Sequence, residues 1–454
     1  MKTYIQHKAQ LLIVGLCLLT SGLLSAQTIT LDSCLALARR NNVDIRTSKI
    51  ELEQAREVKK QVFTKYFPQV QLSGLGYISA QPLMRFGIDD VQSSDMREIL
   101  NDLYELVDST TDVKREFDLM KRGLSGSVMV AQPLYAGGRI ITGNRLASLG
   151  VEAAELKSQM QIRDILENIE STFYLVVGLQ QKVATVTSAL ELIDSLDHIV
   201  QNALHNGLVT RTDALQVQLK RNEITAMSQQ LTSGIRLSKR LLCAQIGLTY
   251  NESLQFVDLD AEVAPECTFT LSPTASPNRP EIRLLQMGVE AERLNKRLTL
   301  GEALPQLSII GTAYYGNIVK QKADANMLAM ISLSVPLSAW WETSHKLRQH
   351  NLRIVEAELK QQHLSQMMSI EEEKAYSDMV DARLLMKSDS AALDIADENY
   401  RLATLNYSAG VTTLTEVLQA QTLLLQAQNA ITDRRTTYIM ARRRLLDLQK
   451  PITE

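Results

Sequence analysis

Pro68-Gln69-Val70-Gln71-Leu72-Ser73-Gly74-Leu75-Gly76-Tyr77 is written a second time, 237 residues on, as Pro305-Gln306-Leu307-Ser308-Ile309-Ile310-Gly311-Thr312-Ala313-Tyr314. Pro, Gln, Gly and Tyr recur in place, and upstream Asp44-Ile45-Arg46 returns as Glu281-Ile282-Arg283 with the same offset. A second pair follows at an offset of 203. Gly207-Leu208-Val209-Thr210-Arg211-Thr212-Asp213-Ala214-Leu215-Gln216-Val217-Gln218 matches Gly410-Val411-Thr412-Thr413-Leu414-Thr415-Glu416-Val417-Leu418-Gln419-Ala420-Gln421, and Pro133-Leu134 matches Pro336-Leu337. The chain is therefore two tandem copies of one unit. The offset shrinks by 34 residues between Tyr77 and Pro133, so the first copy carries an insertion there. That insertion, within about Arg85 to Arg122, is charged and reads as an exposed loop.

Working outward, no proline lies between Pro133 and Pro265 or between Pro336 and Pro451, and Gly410 is the one glycine from Ala339 to Lys450. Proline inside a helix costs about 3 kcal/mol, so these gaps are where long helices fit. Ile162, Ile165, Ile169, Phe173 and Val176 step by threes and fours along one face, among Ala, Ser, Gln, Lys and Glu. So narrow an apolar seam suits coiled-coil packing rather than a globular core. Aromatics at 5% of 454 residues point the same way.

Each copy reads as short helix, strand, loop, strand, long helix, tight turn, return helix. The first long helix, about 146–206, would span roughly 90 Å, and its return helix, about 212–246, roughly 50 Å. The short helix of the second copy, about 281–303, could stack end to end on that return helix and make up the difference. The expected segments are a signal peptide at 1–26; a first short helix at 27–67; a first β-hairpin at 68–134 with a long extracellular loop at 83–123; and helix, tip and return helix at 135–247. An irregular belt at 248–278 follows, then a short helix at 279–304, a second hairpin at 305–337, and helix, tip and return helix at 338–449. The fold class is mainly α with a small β part.

The strands alternate. Val70 and Leu72 oppose Gln69, Gln71 and Ser73; Leu124, Gly126, Val128 and Val130 oppose Ser125 and Ser127. Leu307 and Ile309 oppose Gln306 and Ser308; Ile331, Leu333 and Val335 oppose Ser332 and Ser334. This is the apolar-out, polar-in dyad of a membrane barrel strand, and equally that of a sheet half buried in a soluble domain. Four strands cannot close a spanning barrel, and an open edge is not tolerated in lipid, so strands that span require several copies. A dimer would supply eight strands around a lumen filled by side chains, a trimer twelve with room for passage, so geometry prefers the trimer only if the function is conduction. Tyr66, Phe67, Tyr77, Tyr135, Tyr314, Tyr315, Trp340 and Trp341 gather near the strand ends, as an interfacial girdle or as packing at the strand-to-helix turns.

Gly207 and Gly410 each follow a proline-free helix, where a left-handed C′ glycine belongs. Thr210 or Thr212, and Thr413 or Thr415, can cap the return helices. A plain hairpin tip explains the glycines; the close repetition of the following residues suits a surface shown twice to a partner.

The Leu31-Asp32-Ser33-Cys34-Leu35-Ala36-Leu37-Ala38 opening, Tyr66-Phe67-Pro68-Gln69, Leu134-Tyr135-Ala136-Gly137-Gly138-Arg139 and the paired tips resemble the TolC-type outer membrane efflux proteins. The resemblance runs from about Ile29 to Gln449. It implies a homotrimer with a twelve-stranded pore in outer-membrane lipid and a periplasmic helical tunnel, the exit duct of a tripartite efflux or type I secretion system. It also implies docking on a periplasmic adaptor (membrane fusion) protein and an inner-membrane transporter. Adaptor contacts would fall on Gly207, Leu208, Val209, Thr210, Gly410, Val411, Thr412 and Thr413. The family's periplasmic gate maps onto Glu416 and Gln419, so one ring is acidic and one only polar, and its closed-state link maps onto Tyr407 and Asp213. Thr412 stands where that link has a basic residue, and Trp340-Trp341 stand where the first copy has Gly137-Gly138.

Lys2 and Lys8, the apolar run from Leu11 to Leu24 and the small-residue site at Leu24-Ser25-Ala26 read as a secretion signal. Its removal would shift the net charge from −3 to −5 and leave Cys34, Cys243 and Cys267, which allow at most one disulfide. A near-neutral charge excludes a nucleic-acid partner. His198 and His205 are seven apart and His345 and His350 five, neither a metal spacing, and all read as solvated helix-face residues. Met327-Met330 and Met367-Met368 read as gap fillers, and Glu371-Glu372-Glu373 and Arg442-Arg443-Arg444 as solvated or inter-helix charges. No nucleophile–base pair stands out, so neither enzyme activity nor a cofactor is expected. Against the duct stand a periplasmic coiled-coil scaffold or adaptor without a channel, and a carboxylate-based hydrolase.

Overall fold

A computed structural model describes residues 28–81, 84–87, 92–108, 116–119, 122–257, 279–316 and 323–449. The secretion signal and Cys267 lie outside the described residues, as does the belt beyond Val257. The described chain comprises strands β1 (Thr28–Ile29), β2 (Gln69–Ile78), β3 (Met84–Gly87), β4 (Glu116–Leu119), β5 (Arg122–Ala136), β6 (Gln255–Phe256), β7 (Gln306–Gly316) and β8 (Asp324–Ser334). Its helices are α1 (Leu31–Asn41), α2 (Val43–Phe63), α3 (Ser94–Asp108), α4 (Arg139–His205), α5 (Arg211–Ile246), α6 (Pro280–Glu302), α7 (Ala339–Ser408) and α8 (Leu414–Gln449). The chain is mainly helical with a small sheet. It divides into two units, one of residues 28–53, 153–286 and 359–449, the other of 54–152 and 287–358.

The first unit is helical. The seam that the sequence marks is buried: Ile169, Phe173 and Val176 meet Leu242 and Ile246 of α5, Cys34 and Ala38 of α1, and Ile29 and Phe256 of the short parallel pair β1–β6. A second cluster joins Val186, Ile193 and Val200 of α4 to Val217 and Ile224 of α5 and Val417 of α8. A third joins Met379 of α7 to Tyr438 and Leu445 of α8. Each such side chain contributes about 1.5–3 kcal/mol on burial, spread along the helices rather than gathered in one core. Between α4 and α8, Gly178 leaves little slack: a Cβ there would stand 3.3 Å from Thr436 Oγ1. Cys34 and Cys243 are buried thiols of the first cluster. Burial pushes the Cys34 thiol up to about 12, with Cys243 adding to the shift.

Of the triple Glu and Arg runs, Glu371, Glu372, Arg443 and Arg444 form cross-links. Arg279, only 6% exposed, reaches Glu281 (3.3 Å), Glu371 (3.3 Å) and Glu372 (3.4 Å). Arg163 holds the other oxygen of Glu281 at 2.7 Å, Arg444 bridges Glu167 and Glu371, and Arg443 pairs with Glu170.

The second unit holds one antiparallel sheet in the order β2-β5-β7-β8. Its two copies meet at β5–β7, with Val128 opposite Ala313 and Val130 opposite Gly311. Pro133, which cannot donate to the ladder, sits at a bulge where the register shifts before Tyr135. A separate hairpin, β3–β4, rises from the insertion. The insertion is not loop throughout, since fifteen of its residues form α3. The spacing Met96, Ile99, Leu103 was there to read, but five acids within the helix disguise it.

Gly137 fixes how this unit turns from strand to helix. Its φ is +60°, and a Cβ would come within 2.2 Å of the Gly301 carbonyl oxygen, whereas at Gly138 (φ +73°) a Cβ meets open space. Gly138→Ala should therefore cost only the left-handed strain, about 1 kcal/mol. Gly137→Ala must also push α6 away, and the expected result is at least a several-fold drop in folded protein recovered from membranes. Equal recovery of the two variants would show that the close approach does not matter. In the second copy Trp340 Nε1 donates to the Ala303 carbonyl at 2.8 Å, so both turns are anchored on the end of α6 by different chemistry.

Candidate functional site

Two features stand out, one in each unit. The first is the sheet. Cross-strand register places Val70, Leu72, Val128, Val130, Ile309, Ala313, Met327, Ile331 and Leu333 on one face. Most of these are open to solvent in the single chain, Leu72 at 79% and Ile331 at 72%. So large a contiguous apolar face demands a covering medium or partner. The opposite face carries Gln69, Gln71, Ser73, Ser125, Ser127, Ser308, Thr312, Tyr314, Asn326 and Ser332, interrupted by Leu75, Met129, Ile310, Leu328 and Met330. Ser73 and Ser127 hydroxyls hydrogen-bond across the strands at 2.7 Å, and the Asn326 amide donates to the Tyr314 hydroxyl at 3.2 Å. Lys65 and Arg139 line a groove beside Gln69, Gln306 and Ser308. Within the chain the outer edges of β2 and β8 have no strand neighbour among the described residues.

Several aromatic residues at the strand ends combine packing with exposure. Tyr66 and Phe67 meet Phe63 at tilted and edge-on angles, with ring centroids 5.5 and 5.6 Å away, and Trp340 is tied to Ala303, yet these three are exposed in the single chain, as is Trp341. Three methionines depart from the gap-filling reading. Met327, Met330 and Met367 are exposed in the single chain. His350 departs from the solvated reading: it lies half-buried, with Nε2 3.1 Å from Thr299 Oγ1 and Nδ1 3.5 Å from Glu292.

The second feature is the pair of helix tips. Both end as Schellman turns. The Gly207 N–H donates to Leu204 O at 3.0 Å and Leu208 N–H to Ala203 O at 2.9 Å; Gly410 donates to Tyr407 O at 3.0 Å and Val411 to Asn406 O at 2.9 Å. Both glycines are left-handed, at φ +71° and +72°. Leu208 and Val411 occupy the same position of the motif, which usually packs on its own helix. Here both project outward, 77% and 76% exposed. At the first tip the threonine and the acid do the capping. Thr210 and Asp213 form a capping box, with Thr210 N–H donating to Asp213 Oδ2 at 2.9 Å and Asp213 N–H to Thr210 Oγ1 at 3.3 Å. In the second copy the Thr412 hydroxyl donates to Glu416 Oε2, and Thr415 Oγ1 reaches across to Gln216 Oε1 at 3.4 Å. Val209 packs on the buried cluster, Thr413 directly precedes α8, and Glu416 and Gln419 are exposed on the first turns of α8.

Tyr407 and Asp213 are brought together but not bonded. Burial pushes the Tyr407 hydroxyl above its ordinary range, and the Asp213 carboxylate adds to it. The Tyr407 Oη is buried without a hydrogen-bond partner, while Asp213 is occupied by Thr210. Thr412 turns to Glu416 rather than to either of them. No described helix is long and apolar enough to cross a membrane.

Comparison with known proteins bears on both features. Residues 271–448 match the family of outer membrane efflux proteins. The sequence matches no curated protein. Among solved structures the fold is similar to the outer membrane protein VceC of Vibrio cholerae, at 15% identity and a TM-score of 0.71, over 92% of this chain and 95% of that one. It is also similar to the CmeC outer membrane channel of Campylobacter jejuni (16%, 0.71, 92% and 85%) and the open state of the MtrE outer membrane channel of Neisseria gonorrhoeae (14%, 0.69, 92% and 87%).

Proposed function

Because residues 271–448 match the outer membrane efflux protein family and the described chain has the fold of outer-membrane channels, we propose that this protein is a passive exit duct of the outer membrane. Three copies would pair β2 of one with β8 of the next and close a twelve-stranded barrel, which removes both open edges. The apolar face then lies in lipid and the polar face lines the pore. That exposed apolar face, with two edges unpaired among the described residues, is the observation that carries the reading. The helical unit belongs to the periplasm, where the tips Gly207–Thr210 and Gly410–Thr413 dock on an adaptor protein linked to an inner-membrane transporter. Leu208 and Val411, equally exposed at equivalent positions, are the apolar contacts such a partner would take. Transport energy comes from that partner, so the chain itself has no reaction to catalyse. Isolated protein should run as heat-resistant trimers from outer-membrane fractions and conduct in planar bilayers. A soluble monomer without conductance would overturn the reading.

Glu416, three copies around one axis, forms the acidic ring of the periplasmic gate, with Gln419 as a polar ring and Asp213 beside Tyr407 behind it. Identical carboxylates at a constriction attract cations and repel anions. Thr412 stands where an ion-paired lock would need its base, and it turns to Glu416, so this gate is expected to work without that ion pair. The Glu416→Ala, Asp213→Ala double variant is expected to conduct about two-fold more and to be blocked less by divalent cations. Single-channel recordings indistinguishable from the parent would remove Glu416 and Asp213 from the gate.

A further inference from the structure

α3 has an apolar seam that its own chain leaves open. Met96, Ile99 and Leu103, spaced as the a, d and a positions of a heptad, are all exposed, and Leu106 continues the step in the sequence. Leu100 and Tyr104, next to the seam, are half-covered within the unit. Asp95, Glu98, Asp102 and Glu105 occupy the opposite side. A strict a/d stripe on a helix in water is the mark of a helix partner rather than of a globular core. The acids, with Arg97 the one base of the helix, argue against an anionic lipid surface. The route of the chain says which helix is at hand. α3 lies in the excursion that leaves the sheet from β2, its edge strand, where the trimer reading puts the neighbouring copy. Every copy brings the same seam to the same seat around the axis.

We propose that α3 is a self-association element: in the trimer the three Met96–Ile99–Leu103 seams pack on one another and form a helical cap over the outer mouth of the pore. The inference rests on the trimeric duct reading. It adds a second constriction, whose acidic sides face solvent. Cargo passing outward would have to part three short helices, so the cap sets a barrier independent of the gate.

The test uses full-length protein in intact cells. Ile99→Cys and Leu103→Cys are treated with a short membrane-impermeant bis-maleimide, with Asp102→Cys and the unaltered chain as controls. Covalent dimers and trimers are expected from Ile99→Cys and Leu103→Cys at about tenfold the yield from Asp102→Cys, because packed seams raise the effective thiol concentration. Replacing Met96, Ile99 and Leu103 together by Glu should leave the heat-resistant trimer intact and raise single-channel conductance about two-fold. Intact trimers in which Ile99→Cys is labelled as fast as Asp102→Cys, without cross-links, would overturn the cap and leave the duct standing. Shielding without cross-links would overturn it too, by assigning the seam to lipid or a foreign protein. Absence of trimers would overturn the duct and the cap together.

Discussion

Leu72→Arg and Ile331→Arg each abolish the heat-resistant trimer, while Ser73→Arg on the other face of β2 leaves it in place. The expectation follows from where these side chains would end up. In a single chain Leu72 and Ile331 are 79% and 72% exposed, and a surface substitution at such a site changes stability by only about 0.5 kcal/mol. In a barrel the same positions face hydrocarbon, where an arginine near the midplane costs about 2–4 kcal/mol. Three copies carry the change, so one substitution removes about 6–12 kcal/mol from an assembly that forms only as a whole. Ser73 pairs with Ser127 on the polar face, where an arginine meets water and alters selectivity rather than insertion. The measurement is the heat-modifiable band in washed outer membranes. Equal tolerance of arginine on both faces would mean that the sheet does not lie in lipid, and the duct would fall with it.

The contrast between the faces was legible because strand side chains repeat every two residues, so that Val70-Gln71-Leu72-Ser73 declares its faces without any partner. The tips were legible for a similar reason: glycine in a left-handed turn and Thr210 three before Asp213 are local rules, and the structure obeys them with a Schellman turn and a capping box. What the residues could not show is whatever joins distant parts of the chain. The nearness of Tyr407 to Asp213 came from resemblance to a family, not from spacing, and the missing hydrogen bond between them came only from the structure. The approach of Gly137 to Gly301 has no local signature either. Nor has the setting of His350, whose partners lie on α6. α3 was missed for the opposite reason. Its signature is local, but it lies among five acids and in an insertion that has no second copy in the chain.

Arg279 is the residue of this kind with the largest expected effect on stability. Its guanidinium is buried among Glu281, Glu371 and Glu372, which come from α6 and α7, and Glu372 is itself only 8% exposed. Arg279→Ala leaves these carboxylates facing one another with less water than they need, a loss of about 3–5 kcal/mol for a buried pair broken on one side. Glu371 is better solvated and keeps Arg444, so the lower end of that range is expected. Arg163→Ala should cost less, since Glu281 retains Arg279. Adding Glu372→Gln to Arg279→Ala should recover part of the loss by removing one of the stranded charges, which loss of packing alone would not allow. The pH dependence has a fixed sign. Burial by itself would raise the Glu281 carboxyl, but hydrogen bonds from Arg163, its own backbone N–H and Arg279 hold it below the usual carboxylate range. A depressed carboxyl contributes stability above its unfolded value, near pH 4.3, and loses it as the pH falls toward the folded value. The thermal midpoint of the helical circular-dichroism signal should therefore fall for the parent protein below about pH 4, and the gap to Arg279→Ala should narrow there. A variant that melts with the parent at neutral pH would show that Arg279 adds nothing to the hold on α6.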